Sequence, residues 1–305
     1  MLIDYAAITH QGHVRKNNED AYLVSAMDGE EPCVNELKPL PDICQRGLLV
    51  AVADGMGGAA AGEVASREGL ASLALYLFGH WGRSLDRRPT DKDLFRALKG
   101  AAEEASEAVI RYAHTDRAVR GMGSTLTAGV IWNHHLHLCQ VGDSRAYLLR
   151  QGRLHQLTVD QTLVHQMIQS GYITAEEARN HPQRTMITQA LGCPLPVKAE
   201  LGHVALRRGD RLLVCSDGLH SELEHDQIES TLQLGCPLKR TLEVLLEKAL
   251  AHGGRDNITA VLLSLDDAAF PPPRSGEPVQ VLSPDLPSPG NGFLSRLSHF
   301  FSSSS

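Results

Sequence analysis

The sequence predicts an α+β fold in which antiparallel sheets carry their helices on the outside. Three observations predict it. Strand-like and helix-like segments come in blocks and do not alternate singly. Several apolar runs are joined by turns that suit hairpins. LLVAVA, residues 48–53, is apolar on both alternating faces, as a strand covered on both sides would be.

In chain order, HVRKNNEDAYLV (13–24) sets Glu19 and Asp20 side by side just ahead of a strand. Asp28-Gly29 reads as a plain turn, and residues 30–47 as a surface excursion in which a Cys33–Cys44 link is conceivable. LLVAVA follows, then a buried Ala- and Leu-rich helix over 59–78. A second helix runs from about Thr90 to Tyr112, because Leu94, Leu98, Ala101, Ala105, Ala108 and Tyr112 recur at helical spacing behind a capping Thr.

STLTAGVIW and LHLCQV flank Asn133-His134-His135 as a hairpin. His134, His135 and His137 therefore read as solvated residues of a hairpin tip. YLLRQGRLHQL turns at Gln151-Gly152. Residues 160–184 break into short helical pieces, one opened by a Thr174–Glu177 capping box. DRLLVCSD is a strand, 238–251 a Leu-rich helix, and ITAVLLSL (258–265) the last strand. The domain is expected to span 1–266. Beyond it seven prolines and no period predict a flexible tail, 267–305. Its end places Phe293, Leu294, Leu297, Phe300 and Phe301 on one face of a segment too short to be a stable helix alone.

Whole-chain properties mainly exclude. With 305 residues the core needs no disulfide or structural metal. A net charge of −7 argues against a nucleic-acid partner, whose footprint is basic. Six cysteines form no CxxC, and reduced thiols are the expectation. No signal-like segment and no run of about 18 apolar residues appears, so no membrane span and a cytoplasmic address are expected.

The chemistry lies in the carboxylates. LLVAVADGMGG (48–58), HLHLCQVGDSR (135–145) and DRLLVCSDG (210–218) each end an apolar strand on an acid: Asp54, Asp143 and Asp217. Glu19, Asp20 and Asp256 stand just ahead of strands. If these ends converge, their charges repel by roughly 4 kcal/mol per pair at 4 Å and an effective dielectric near 20. A hard divalent cation reverses that sum, and oxygen ligands select Mg²⁺ or Mn²⁺ over zinc. ADGMGG as a nucleotide-cradling loop is a weak reading, since no Lys-Ser/Thr follows it.

Six motifs occur in one order: RxxNED at 15–20, ADGMGG at 53–58, GMGST at 121–125, VGDSR at 141–145, SDG at 216–218 and DN at 256–257. Together they resemble the metal-dependent serine/threonine protein phosphatases of type 2C, the PPM family, in their bacterial form, over about residues 5–265. The resemblance implies a four-layer αββα sandwich, two central antiparallel sheets flanked by antiparallel helices, with a metal centre at one end. It implies that Asp54 bridges two metals and that the Gly55 carbonyl binds the first. Asp217 and Asp256 would complete the second, and Glu19 and Asp20 would act largely through water. Asp143 with Asp217 would hold a third, weaker metal, and Arg15 would meet the substrate phosphate. Residues 160–186 correspond to the family's mobile flap.

The activity so implied is hydrolysis of phosphoserine and phosphothreonine in proteins, opposing a serine/threonine kinase, by a chain expected to be monomeric. The alternative is a non-catalytic relative that only binds phosphoproteins; its usual mark, a lost acid at a metal position, is absent. Two departures stand out. Met56 occupies the place where eukaryotic members often carry a His able to protonate the leaving group, and the 30–47 excursion is longer than expected.

Overall fold

A computed structural model describes residues 3–27, 31–38, 40, 46–57, 61–81, 89–179 and 181–284. The first strands are β1 (Asp4–His10), β2 (Asp20–Ala26) and β3 (Leu48–Met56), followed by helices α1 (Ala61–His80) and α2 (Asp91–Ala113). Then come β4 (Gly123–Ser124), β5 (Leu126–Trp132), β6 (His135–Val141), β7 (Arg145–Arg150) and β8 (Arg153–Gln156). Short helices α3 (Leu163–Gln169) and α4 (Ala175–Arg179) precede β9 (Glu200–Ala205) and β10 (Asp210–Cys215). Helices α5 (Asp217–His220), α6 (His225–Leu232) and α7 (Leu238–Ala251) lead to β11 (Ile258–Leu265).

The strands form two antiparallel sheets. One has the order β1-β11-β10-β7-β8, the other β2-β3-β5-β6-β9 with β4 added on β3. Apolar side chains alternate across each sheet and so feed three buried layers. Leu23, Leu49 and Ala51 pack under α1 and α2 with Leu73, Leu77 and Leu98. Val50, Val52, Leu148, Val214 and Val261 fill the space between the sheets. Tyr147, Leu213 and Leu262 meet Leu219, Ile228, Leu242 and Leu245 of α5–α7. The fold is therefore the expected α+β, four-layer αββα sandwich.

Local chemistry explains the connections. Asn133 and His134 (φ 47° and 62°) and Gln151 and Gly152 (φ 50° and 77°) make two-residue turns with positive φ throughout, the turns that match strand twist. At the start of α2, the Asp93 carboxylate accepts from both the backbone N–H and the hydroxyl of Thr90. Thr174 and Glu177 form the reciprocal cap of α4. Part of the 30–47 excursion closes the edge of β2: Asn35 donates its N–H to the Tyr22 carbonyl and accepts from the Tyr22 N–H, at 2.9 and 2.8 Å. Asp28, Gly29, Cys44, the first residues of the 59–78 helix and the apolar tail end from Phe293 to Phe301 lie outside the described residues.

Two expectations need correction. His137 is not solvated. It is fully buried, because only His134 sits in the turn while His137 points under α2. Residues 267–284 are not a free tail either. Phe270 is buried in the layer between the sheets, the Pro271 carbonyl accepts from the Arg208 N–H, and Leu282 exchanges both backbone hydrogen bonds with His203 on β9. Arg207 grips Glu277 with two nitrogens. This strap covers an edge strand that would otherwise present unpaired backbone groups.

Candidate active site

β2 and β3 set the first carboxylates. Their register places Asp20 directly opposite Asp54 at the end of the pair. β3 runs two residues past Asp54, to Met56, because β4 pairs with Gly55 and Met56. Asp143 lies in the turn that carries the chain from β6 in one sheet to β7 in the other. Asp217 opens α5 directly after β10, and Asp256 precedes β11. Antiparallel order thus delivers acids from both sheets to one end of the sandwich.

Hydrogen bonds lock this end. The Ser216 hydroxyl donates to Asp20 Oδ2 at 2.7 Å, which joins the sheets across the site. Thr125 Oγ1 accepts from the Asp54 N–H at 2.9 Å and contacts Ser144 Oγ at 2.8 Å. Asn257 Oδ1 accepts from the Glu19 N–H, while its amide donates to the carbonyls of Gln11 and Asn17. Arg15 donates to Asp256 Oδ2 at 2.5 Å. Arg15, Glu19, Asp20, Asp54, Gly55, Asp143, Asp217 and Asp256 are all brought together. Thr125, Ser144, Ser216 and Asn257 are the positioning residues that the acid pattern missed; each belongs to a quoted motif, and buried polar side chains in strand ends were their signal.

Gly55 owes its place to close packing, not to a turn. A Cβ there would stand 1.9 Å from the Gly62 carbonyl oxygen and 2.7 Å from that of Glu19. Gly218 is similar, with Asn257 O at 2.0 Å from any added Cβ. Backbone-to-backbone contact draws α1 and β11 tightly against the site.

Burial and mutual repulsion both act on these acids. Burial first, then the neighbouring carboxylates, pushes Asp20 up to about 7 and Asp143 up to about 8. Asp217 rises to about 6 for the same reasons. Asp54 is driven well above its ordinary value by burial and by Asp20, Asp217, Asp143 and Asp256. Burial also raises Glu19. The hydrogen bond to Asp256 raises Arg15 and holds it charged. Asp20 Oδ1 and Asp217 Oδ1 are buried without any partner.

Unpartnered buried carboxylate oxygens are rare, and here they belong to an all-oxygen donor set that suits a hard divalent cation. As the side chains stand, no three His, Cys, Asp or Glu among the described residues are set to hold an ion.

Residues 161–162 and 187–188 pair with each other and close the segment between them on a narrow neck. Thr162 bridges to Ile187, and Gln161 O accepts from the Thr188 N–H. Gln161 Oε1 accepts from the Gly142 N–H, and Arg145 grips Asp160 with two nitrogens at 2.8 and 2.6 Å. Residues 160 and 161, at the base of this segment, are thereby tied to the turn that carries Asp143.

Residues 42–262 match the family model described as Protein phosphatase 2C. The serine/threonine protein phosphatase PstP of Mycobacterium tuberculosis is 37% identical over 267 residues, which are 88% of this chain and 46% of that protein. The serine/threonine phosphatase stp of Listeria monocytogenes is 33% identical over 258 residues, 85% of this chain and 94% of that one. This chain thus spans about half the length of the mycobacterial relative and nearly all of the Listeria one. A crystal structure of the PstP catalytic domain in complex with two manganese ions superimposes with a TM-score of 0.68 at 36% identity, covering 87% of this chain and 99% of that one. Likeness of this extent, in sequence and in fold, makes the chain a member of the protein phosphatase 2C family.

Proposed function

We propose that this chain is a Mg²⁺- or Mn²⁺-dependent protein phosphatase that hydrolyses phosphoserine and phosphothreonine monoesters, opposing a serine/threonine kinase. The observation that carries the reading is the convergence of buried, mutually repelling carboxylates from both sheets, two of them with an unpartnered oxygen. Manganese in the PstP relative supports the choice of metal. Asp54, the Gly55 carbonyl, Asp217 and Asp256 would hold the two ions, and Glu19 and Asp20 would act on them largely through water. Asp143 with Asp217 would hold a third, weaker ion. When bound, such a pair polarises water and the phosphoryl oxygens for in-line attack.

The chain's own groups do the rest. Arg15 is half-exposed and releases from Asp256 to offer its guanidinium fork to the phosphate. Asn257, Ser216 and Thr125 hold the acids in place, so little reorganisation accompanies the reaction. Cys139 and Cys215 are buried, and burial pushes both thiols up to about 12, which supports a route without a cysteinyl phosphoenzyme. Met56 has no ionisable proton, so a bound water or another group supplies the one that the leaving alkoxide takes. No helix among the described residues is long and apolar enough to cross a membrane; a cytoplasmic, monomeric enzyme is the proposed setting.

The test is hydrolysis of a phosphothreonine peptide. Turnover is expected with Mn²⁺, and a loss of at least about 100-fold with chelator or in Asp217→Asn. Equal turnover with chelator would reject the metal mechanism, and wild-type turnover in Asp217→Asn would reject that residue's role.

A further inference from the structure

Away from the acids, three imidazoles share one face at the edge of the second sheet. β6 carries His135 and His137 two residues apart, so both point the same way. The register sets His203 of β9 directly opposite His137. Ring centroids are 6.2 Å apart for His135–His137, 5.8 Å for His137–His203 and 5.7 Å for His135–His203. Imidazoles around a tetrahedral ion with metal–nitrogen bonds near 2.0 Å have centroids roughly 5 Å apart. The trio is not preassembled, and closing it takes roughly 1 Å per pair on that scale.

The hydrogen bonds assign the protons. His137 Nε2 meets Asp91 Oδ1 at 3.0 Å, and a carboxylate only accepts, so that nitrogen carries the proton. His137 Nδ1 is then a bare lone pair, and it is buried with no partner. His135 Nδ1 meets the Asn133 carbonyl at 2.9 Å and is likewise the donor, which leaves Nε2 as the lone pair. His203 Nδ1 is a second buried nitrogen without a partner. A ligating His usually gives its other N–H to a carboxylate or carbonyl, the pattern that His137 and His135 already hold. Burial lowers His137 and His203 and so keeps them in the neutral, ligating form.

We propose that His135, His137 and His203, with Asp91 behind His137, form a second metal site, selective for a zinc-class ion. All-imidazole donors suit Zn²⁺, Co²⁺ or Ni²⁺ and not the hard ions of the carboxylate cleft. Such an ion staples β6 to β9, to the start of α2 through Asp91, and to the strap that pairs with the His203 backbone. This site does not depend on the phosphatase reading.

The test saturates the carboxylates with excess Mg²⁺ and titrates the full chain with Zn²⁺ by calorimetry, and with Co²⁺ by visible absorption. The wild type is expected to take up one equivalent that Mg²⁺ does not displace, with the absorption of tetrahedral Co²⁺. His135→Ala and His203→Ala, both at half-buried positions, should each weaken it about 100-fold, and Asp91→Asn about tenfold. Lack of uptake by the wild type, or unchanged uptake in both alanine variants, would overturn the site.

Discussion

At the scale of single residues, the site depends on what is small as much as on what is charged. Asp54 can face Asp20 and Asp217 only because Gly55, next in the chain, lets the Gly62 carbonyl and the Glu19 backbone close in. Gly55→Ala would force these two backbone segments apart. Overpacking of this kind costs about 3 kcal/mol, and we expect a loss of that size in denaturant unfolding together with weaker Mn²⁺ binding. Unaltered stability in the variant would mean that α1 can shift freely, contrary to the packing described. The same principle separates Ser216 from the acids it serves: its hydroxyl adds no charge but holds Asp20 at 2.7 Å from the other sheet.

At the scale of elements, the strap from Asp267 to Pro284 is the part whose behaviour can be read by pH. Arg207 holds Glu277 down at about 2, below the 4.5 of a free glutamate. A depressed acid contributes fully above its unfolded value and loses that contribution as pH falls toward its folded one. Protection of the Leu282 amide against hydrogen exchange is therefore expected to fall between about pH 4.5 and 2 in the wild type. Glu277→Gln should remove that pH dependence and leave the strap uniformly weaker. If the variant titrates like the wild type, the Arg207–Glu277 pair does not anchor the strap.

At the scale of the whole molecule, one buried arginine links the two sheets: it pairs with an acid on the neighbouring strand of its own sheet and reaches a backbone carbonyl of the other. Arg150 on β7 bonds both oxygens of Asp210 on β10, at 2.9 and 2.5 Å, and also the Ala205 carbonyl on β9, at 2.7 Å. Both partners are almost wholly buried. Asp210→Ala leaves a stranded guanidinium and is expected to cost about 3–5 kcal/mol, whereas replacing both partners with apolar residues restores most of it. Denaturant unfolding of the single and double variants decides the matter; a neutral Asp210→Ala would show that the buried guanidinium needs no carboxylate partner.

What the amino-acid sequence determined by itself was every feature with a short-range cause. Period-two apolar runs, hairpin turns at Asn133-His134 and Gln151-Gly152, the Thr90 and Thr174 caps and the acids at strand ends all follow from neighbours a few residues apart. The tertiary structure alone decided what depends on contacts between distant segments. It put His137 under α2 instead of in solvent, because a strand pattern names a face but not what covers it. It laid a Pro-rich segment along β9 through Phe270, Glu277 and Leu282, contacts too irregular to leave a period. Finally, it drew Asp20, Asp54, Asp143, Asp217 and Asp256 into one cleft, since only the pairing order of the strands sets which ends meet.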